Sequence, residues 1–382
     1  MANEDKAARY HRLKCRASLL NTAAGASFLL LLLVTGWSTA LRDLAAGLSG
    51  QSFILTLTLY VVVLAFLADL VRLPIAFYQG VTLERRYGLS TETTAGWWRD
   101  HLKGSALALA FALVGAVIVV SLLRAAPDRW WLLAAAVFSL LLVLLAQLAP
   151  VVLVPMFYDC KPLERPALVE RLVRLANKAG ARVLGVFELR MSDRTRKANA
   201  ALTGIGRTRR ILLSDTLLAD YSDDEIEVIL GHELAHHVHR DIWKSIGVEV
   251  GLIALGFYLA DRVLAAAVGS FGLTSKDDIA GLPLLLLAAG VVSVLLLPLS
   301  NALSRAHERA ADRYAWEATN NATAFITAMK RLGSQNLAEE HPSPLVEFLF
   351  HSHPSLSARI EAAQAWAASQ APLRRAVDVP RG

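Results

Sequence analysis

Hydrophobic positions along the chain fall into six long runs, separated by segments in which polar positions predominate. The runs lie near residues 18–37, 52–79, 104–123, 131–155, 245–268 and 281–300. Each run is long enough for a helix to cross the roughly 30 Å hydrocarbon core of a bilayer. The pattern predicts a predominantly α-helical, polytopic bundle of about six membrane spans. The first run could instead be a signal peptide, but its length favours a retained helix.

A polar segment of mixed character separates the fourth apolar run from the fifth. Its periodicity predicts a helix over 165–179 and strands over 183–191 and 210–213, which together form a small α+β unit. A second polar segment follows the sixth run. We therefore divide the chain into an N-terminal membrane domain, a first polar part, a membrane hairpin and a second polar part, with bounds 1–157, 158–244, 245–300 and 301–382.

The first polar part ends in a helix that carries His-Glu-x-x-His. Ser222 to Glu225 forms a predicted capping box, so the helix begins near residue 223. His232 and His236 are four residues apart and therefore project from one face, where both imidazoles can reach one Zn²⁺. Glu233 can reach a water molecule on that ion. The pattern can also occur by chance on a polar surface helix, but the surrounding apolar positions predict a buried one.

A helical zinc site of this kind needs a further protein ligand, and a candidate follows the sixth apolar run. Glu308 and Asp312 are four residues apart on one predicted helical face. This spacing suits a glutamate ligand with an aspartate that accepts a hydrogen bond from a ligand histidine. A Glu and an Asp at this spacing are common on ordinary surface helices. The segment therefore indicates a metal ligand only in combination with the His-Glu-x-x-His motif.

Composition and charge agree with a membrane protein. Of the 382 residues 55% are hydrophobic, and the mean hydropathy of +0.43 is too high for a typical soluble enzyme. The net charge of +6 comes largely from Lys and Arg beside the apolar runs, which does not indicate a nucleic-acid partner. The positive-inside rule instead predicts that the N-terminus, both polar parts and the C-terminus are cytoplasmic. Cys15 and Cys160 form neither a disulfide framework nor a thiolate zinc site.

Several blocks, in order, resemble the integral-membrane gluzincin peptidases of the CAAX prenyl protease 1 type, in peptidase family M48. The resemblance covers roughly residues 15–370. The matching blocks include Glu84 to Gly88, Asn199-Ala200, Ser304-Arg305-x-x-Glu308-x-x-Ala311-Asp312 and Ser352-His353-Pro354-x-x-x-x-Arg359.

The resemblance implies one Zn²⁺ bound by His232, His236 and Glu308, with Glu233 as the general base and Asp312 behind a ligand histidine. It also implies that the spans enclose a chamber, and that the two polar parts form one gluzincin-type α+β zinc-protease domain on the cytoplasmic side. Membrane lipid and a peptide or protein substrate are the expected partners.

Three further roles are predicted for the active site. His353 is the candidate that stabilises the oxyanion, with Arg359 in support. His353 could otherwise be an ordinary histidine at the start of a helix. The resemblance places Asn199 and Ala200 along the substrate groove, where a strand edge would bind an extended peptide. From the sequence alone, Asn199 could equally be a loop residue.

Three functions are compatible with these features. The first is removal of the C-terminal tripeptide after a prenylated cysteine. The second is quality control of membrane proteins, which the Ala-, Leu- and Arg-rich composition favours because it is typical of bacteria, and bacteria mostly lack prenylated CAAX proteins. That composition also predicts the bacterial inner membrane as the location. The third is a catalytically silent membrane scaffold, against which the complete set of ligands and Glu233 argue.

Overall fold

Helices dominate the computed structural model, which describes residues 6–204 and 209–377. The helices are α1 (Lys6–Val34), α2 (Trp37–Leu48), α3 (Phe53–Phe77), α4 (Glu84–Arg86), α5 (Thr94–Ala125), α6 (Trp130–Leu148), α7 (Val154–Phe157), α8 (Pro166–Lys178), α9 (Asp215–Asp220), α10 (Asp223–Val238), α11 (Asp241–Ala267), α12 (Leu282–Thr319), α13 (Ala322–Asn336), α14 (Pro344–Phe350) and α15 (Leu356–Val377). The strands are β1 (Cys160–Pro162), β2 (Gly185–Leu189), β3 (Ala200–Thr203) and β4 (Arg210–Ser214).

Six helical stretches within the described residues are long and apolar enough to cross a membrane, which confirms the predicted number of spans. They are Lys6–Val34, Phe53–Arg86, Thr94–Ala125, Trp130–Leu148, Asp241–Ala267 and Ile279–Thr319. Large apolar side chains cover their outer faces, and Leu295 and Leu140 are 72% and 69% exposed. Apolar surface of this extent is unfavourable in water and is expected where helices face lipid tails.

Two details of the membrane part differ from the sequence pattern. The connection between the first two spans contains α2, whose residues Ser38 and Ala45 are buried. The α-helix of the fourth span ends at Leu148, and a π-helical turn over Ala149–Leu153 follows it directly. Pro150 in this turn lacks a backbone N–H, so the regular hydrogen-bond ladder is interrupted there.

A four-stranded sheet in the order β1-β2-β4-β3 forms the β part of the catalytic region. β2 and β4 are parallel, and β3 pairs antiparallel with β4 at one edge. The periodicity predicts β2 and β4 but neither β1 nor β3, which have three and four residues. The family resemblance alone predicts a strand edge at Asn199 and Ala200, where β3 begins. Strands this short do not produce a recognisable alternation of polar and apolar positions. The sheet, α8, α10, α13 and α15 share one hydrophobic core.

The helix with His-Glu-x-x-His, α10, begins as the sequence predicts. The side chain of Ser222 accepts a hydrogen bond from the backbone of Glu225, and the Glu225 side chain accepts one from the backbone of Ser222. The sequence allows this helix to continue almost straight into the fifth span. Instead, Arg240 adopts a left-handed conformation with φ 57°, and α11 begins at Asp241. The break therefore redirects the chain and places Asp241 beside the end of α10.

A close approach of α10 to α12 aligns the two motifs. α12 is one helix of 38 residues that carries both the sixth span and Glu308. Gly231 lies at the crossing, where an added Cβ would stand 3.3 Å from the Cα of Ala315. Because the two nearest atoms belong to the backbone of Ala315, they cannot move aside by a rotation of a side chain.

We expect Gly231→Leu to destabilise the protein by about 1–3 kcal/mol through overpacking at this crossing. The displacement of α10 from α12 should also reduce the amount of bound metal. Thermal unfolding and metal analysis of the detergent-purified variant measure both effects. Gly247→Leu is the matched control, since an added Cβ there meets no atom within 4 Å. An equal loss of stability in both variants would contradict the role given to Gly231.

Candidate metal centre

Three predicted ligands from α10 and α12 converge at the crossing of these helices. His232 Nε2 lies 3.3 Å from Glu308 Oε2, and His236 Nε2 lies 3.5 Å from Glu308 Oε1. The three ligand atoms are all within 4.8 Å of one another. Ligand residues 72 or more positions apart in the sequence are therefore brought together by the packing of α10 against α12.

An aspartate and an arginine fix the orientation of His232. Nδ1–H of His232 donates to Asp312 Oδ1 at 2.9 Å, and Arg359 donates from Nε and Nη2 to Asp312 at 2.8 and 2.6 Å. Asp312 is almost fully buried, so a paired cation is needed to offset the cost of burying its charge. The structure thus places Arg359 against Asp312, and Nε2 of His232, which faces Glu308, is the nitrogen left to bind a metal.

His236 has an equivalent carboxylate that the sequence did not reveal. Its Nδ1–H donates to Asp241 Oδ2 at 3.1 Å, and Lys244 donates to Asp241 Oδ1 at 3.0 Å. Asp241 is adjacent to His236 only because the chain turns sharply at Arg240. The only sign of this partner in the sequence is an aspartate shortly after the motif. This sign is weak, because the helix break at Arg240 that brings Asp241 to His236 was not predicted.

The donor set fits a zinc ion. Ligands at roughly 2.0–2.1 Å from Zn²⁺ in tetrahedral geometry are about 3.3 Å from each other, close to the separations of 3.3 and 3.5 Å measured here. Burial lowers the pKa of His232, but the hydrogen bond to Asp312 and the nearby carboxylate of Glu308 outweigh this effect and raise that pKa to about 9, which means a proton on Nε2 that a metal ion would replace. The carboxylates of Asp312 and Glu308 therefore stabilise a positive charge at this position, as a metal ion would supply.

Glu233 and His353 border this centre from different elements. Burial raises the pKa of the Glu233 carboxyl group, which shifts it towards the range that suits a general base. His353 Nδ1 lies 2.7 Å from Glu308 Oε2, although Oε2 makes no aligned hydrogen bond within the described part of the chain. We therefore treat this contact as electrostatic. The His353 side chain is 60% exposed and accessible to a substrate.

Asn199 and Ala200 lie at the start of the edge strand β3. The backbone N–H of Ser214 donates to the Asn199 carbonyl group at 2.9 Å, which places Asn199 in a hydrogen-bonded position facing β4. Since consecutive residues of an antiparallel strand alternate in direction, the N–H and C=O groups of Ala200 point away from β4. This edge packs beside α10 and offers backbone groups to an extended peptide.

We expect Asp312→Asn to weaken zinc binding about 10–100-fold, which is typical for loss of a carboxylate behind a ligand histidine. The amide cannot pair with Arg359 as a charge, and the orientation of His232 becomes less well defined. Competition with a zinc chelator measures the affinity. Glu317→Gln, an exposed position on the same helix, should leave the affinity unchanged. An Asp312→Asn variant with wild-type affinity would show that this contact does not support the metal.

The comparison with known proteins identifies the family. The model of peptidase family M48 matches residues 162–367, which is more than half of the chain. The chain belongs to peptidase family M48. A second family model, described as the CAAX prenyl protease N-terminal region with five membrane helices, matches residues 2–159. The resemblance inferred from the sequence is thereby confirmed.

Relatives and a solved structure extend this M48 assignment across both halves of the chain. An uncharacterized metalloprotease of Bacillus subtilis, YhfN, is 32% identical over 87% of this chain and 79% of its own length. CAAX prenyl protease 1 of Saccharomyces cerevisiae is 28% identical over 78% of this chain and 70% of its own. The crystal structure of S. mikatae Ste24p has the same fold, with a TM-score of 0.84 at 22% identity, and covers 94% of this chain and 88% of the other.

The M48 protein is therefore an integral-membrane metalloprotease similar to the CAAX prenyl proteases. The predicted fold class and enzyme class are confirmed, and the family implies a metal cofactor and a peptide or protein substrate.

Proposed function

We propose that this protein is a zinc endopeptidase that binds one Zn²⁺ per chain through His232, His236 and Glu308. The observation that supports this most strongly is the pair of histidines, each hydrogen-bonded through Nδ1 to an aspartate and each directed through Nε2 at one glutamate. Carboxylate–histidine pairs of this kind are typical of zinc sites, because they fix the tautomer and increase the basicity of the ligand.

The remaining roles follow from the positions of the side chains. Zinc held by His232, His236 and Glu308 would supply Lewis acidity and would make a water molecule at the site more acidic, with a pKa towards about 7. Glu233 takes the proton of the attacking water and delivers it to the leaving amine. His353 donates a hydrogen bond to the oxygen of the scissile carbonyl group as negative charge develops there. Arg359 supports the reaction by positioning Asp312, and through it His232.

The substrate is held in extended form along β3. Ala200 directs its backbone N–H and C=O groups to the free edge, where a peptide strand can pair with them. Asn199 fixes the start of this edge through its hydrogen bonds with Ser214. We propose that the scissile bond precedes a short C-terminal segment and follows a prenylated cysteine, because relatives that match most of the chain are named CAAX prenyl proteases.

The proposed location is the bacterial inner membrane, with the N-terminus, the zinc-protease domain and the C-terminus in the cytoplasm. The distribution of Lys and Arg supports this orientation. Contacts of α1 add to the argument, since Tyr10 donates to Glu84 and Lys197 pairs with Glu84 at 2.8 Å. The polar end of α1 thus lies on the same side as the segment that leads into β3.

Cleavage assays with matched peptides test the proposal. The purified protein in detergent is given a farnesylated CAAX peptide, the same peptide without the farnesyl group, and casein. We expect cleavage of the farnesylated peptide after the modified cysteine. Preference for the unmodified peptide or for casein would contradict the proposed substrate and favour a quality-control protease, and zinc analysis of the same sample tests the metal independently.

A further inference from the structure

A second cluster of potential metal ligands lies outside the proposed active site. His11 of α1, Glu339 in the loop after α13 and His351 after α14 each bring one ligand atom within 4.8 Å of the other two. All three residues are partly buried, and His11 is far in the sequence from the other two. Two imidazoles and a carboxylate suit Zn²⁺ and similar divalent transition metals.

One nitrogen in this cluster is buried without a partner. His351 Nε2 makes no hydrogen bond to any described residue, and Glu339 Oε2, at 3.9 Å, is too distant for one. A buried polar atom without a partner is costly and commonly marks the position of an ion or a water molecule.

The hydrogen bond of His11 leaves its other nitrogen suited to a metal. His11 Nε2 lies 2.9 Å from the carbonyl oxygen of Leu337, and a carbonyl oxygen can only accept. Nε2 therefore carries the hydrogen, and Nδ1 of the neutral ring carries the lone pair. A metal-binding histidine typically donates its other N–H to a carboxylate or a backbone carbonyl group in this way.

The cluster joins segments that border the proposed active site on two sides. Asn336, at the end of α13, accepts a hydrogen bond from the backbone N–H of Ala198 at 3.0 Å, immediately before the edge strand. His351 is two residues from His353, and its carbonyl oxygen accepts a hydrogen bond from Arg305 at 2.6 Å. A metal ion in this cluster would therefore fasten α1 to both the substrate strand and the segment that carries His353.

We propose that His11, Glu339 and His351 bind a second divalent metal ion, Zn²⁺, which holds these segments in place. Lys14 and Lys197 act electrostatically against positive charge at His11. Among the residues that the structure describes, Glu339 is the one carboxylate ligand of this cluster, and no carboxylate is hydrogen-bonded to His11 or His351. The second ion should therefore be bound more weakly than the ion at His232, His236 and Glu308, and a chelator should remove it first.

Counting zinc in the purified full-length protein tests this proposal. After saturation with Zn²⁺ and removal of the excess, we expect about two ions per chain in the wild type, each in a site of three protein ligands. Glu339→Gln and His11→Ala should each reduce the count by about half. His341→Ala removes an exposed histidine in the same loop and should leave the count unchanged.

Variants of the first site separate the two metal ions. His232→Ala combined with His236→Ala should retain about one zinc per chain, and addition of Glu339→Gln should remove it. Gel filtration and the thermal midpoint show whether each variant is folded. If His11→Ala does not fold, Glu339→Gln provides the measurement, because glutamine has the same shape as glutamate. If Glu339→Gln and His11→Ala both bind as much zinc as the wild type, the second metal site is overturned. This conclusion does not depend on the zinc count of the variant that lacks His232 and His236.

Discussion

Glu233→Gln should retain its zinc and lose catalysis. Glutamine keeps the shape of the side chain but cannot accept the proton of the attacking water. We expect kcat/KM for peptide cleavage to fall by about 10²–10⁴-fold, the usual contribution of a positioned general base. The zinc content and thermal midpoint should match those of the wild type, because Glu233 is not among the three residues that converge on the metal site.

The control for this prediction lies on the same helix. Glu227 lies on α10 before the first ligand, and its carboxylate pairs with Arg171 at 2.8 Å rather than with the three ligands. Glu227→Gln makes the same chemical change and should keep nearly full activity. If Glu233→Gln cleaved a peptide at the wild-type rate, the proton would have to leave by another route, and the proposed role of Glu233 would be abandoned. Loss of zinc in this variant would instead show that Glu233 supports the metal.

Local motifs account for the part of the site that the sequence predicted. Spacing of four residues on one helix places His232 beside His236, and Glu308 beside Asp312, whatever the rest of the fold does. The capping residues that start α10 act within one helical turn, so the capping box of Ser222 and Glu225 could also be predicted from the sequence. The six spans are likewise predictable, because length and apolar composition alone decide whether a helix can cross a bilayer.

Parts of the site that depend on a turn or on long-range packing were not predictable. Asp241 becomes a partner of His236 only because Arg240 adopts a left-handed conformation, which carries no strong sequence signal at a non-glycine residue. Arg359 was expected beside His353 as a support for the oxyanion, whereas its hydrogen bonds go to Asp312. The strand edge at Asn199 and Ala200 was expected only from the family resemblance, because the pairing of β3 with β4 that defines the strand leaves no periodic pattern in four residues.

Glu308→Gln should have the opposite signature to Glu233→Gln, with loss of the active-site zinc as the primary event. Glu308 is the point at which His232 and His236 converge, at 3.3 and 3.5 Å. A neutral amide presents a weaker ligand and removes the negative charge that balances Zn²⁺. Because loss of a carboxylate that only contacts a ligand already costs about 10–100-fold in affinity, loss of this ligand should cost more than about 10²-fold.

Metal affinity and activity of Glu308→Gln should then change together. At limiting zinc the variant should be inactive, and a large excess of zinc should restore part of the activity, because Glu233 and His353 remain in place. No excess of zinc should restore Glu233→Gln. Glu317→Gln on the same helix serves as the control. If Glu308→Gln held active-site zinc as tightly as the wild type, α12 would not supply the third ligand, and the reason for the close crossing of α10 and α12 would have to lie elsewhere.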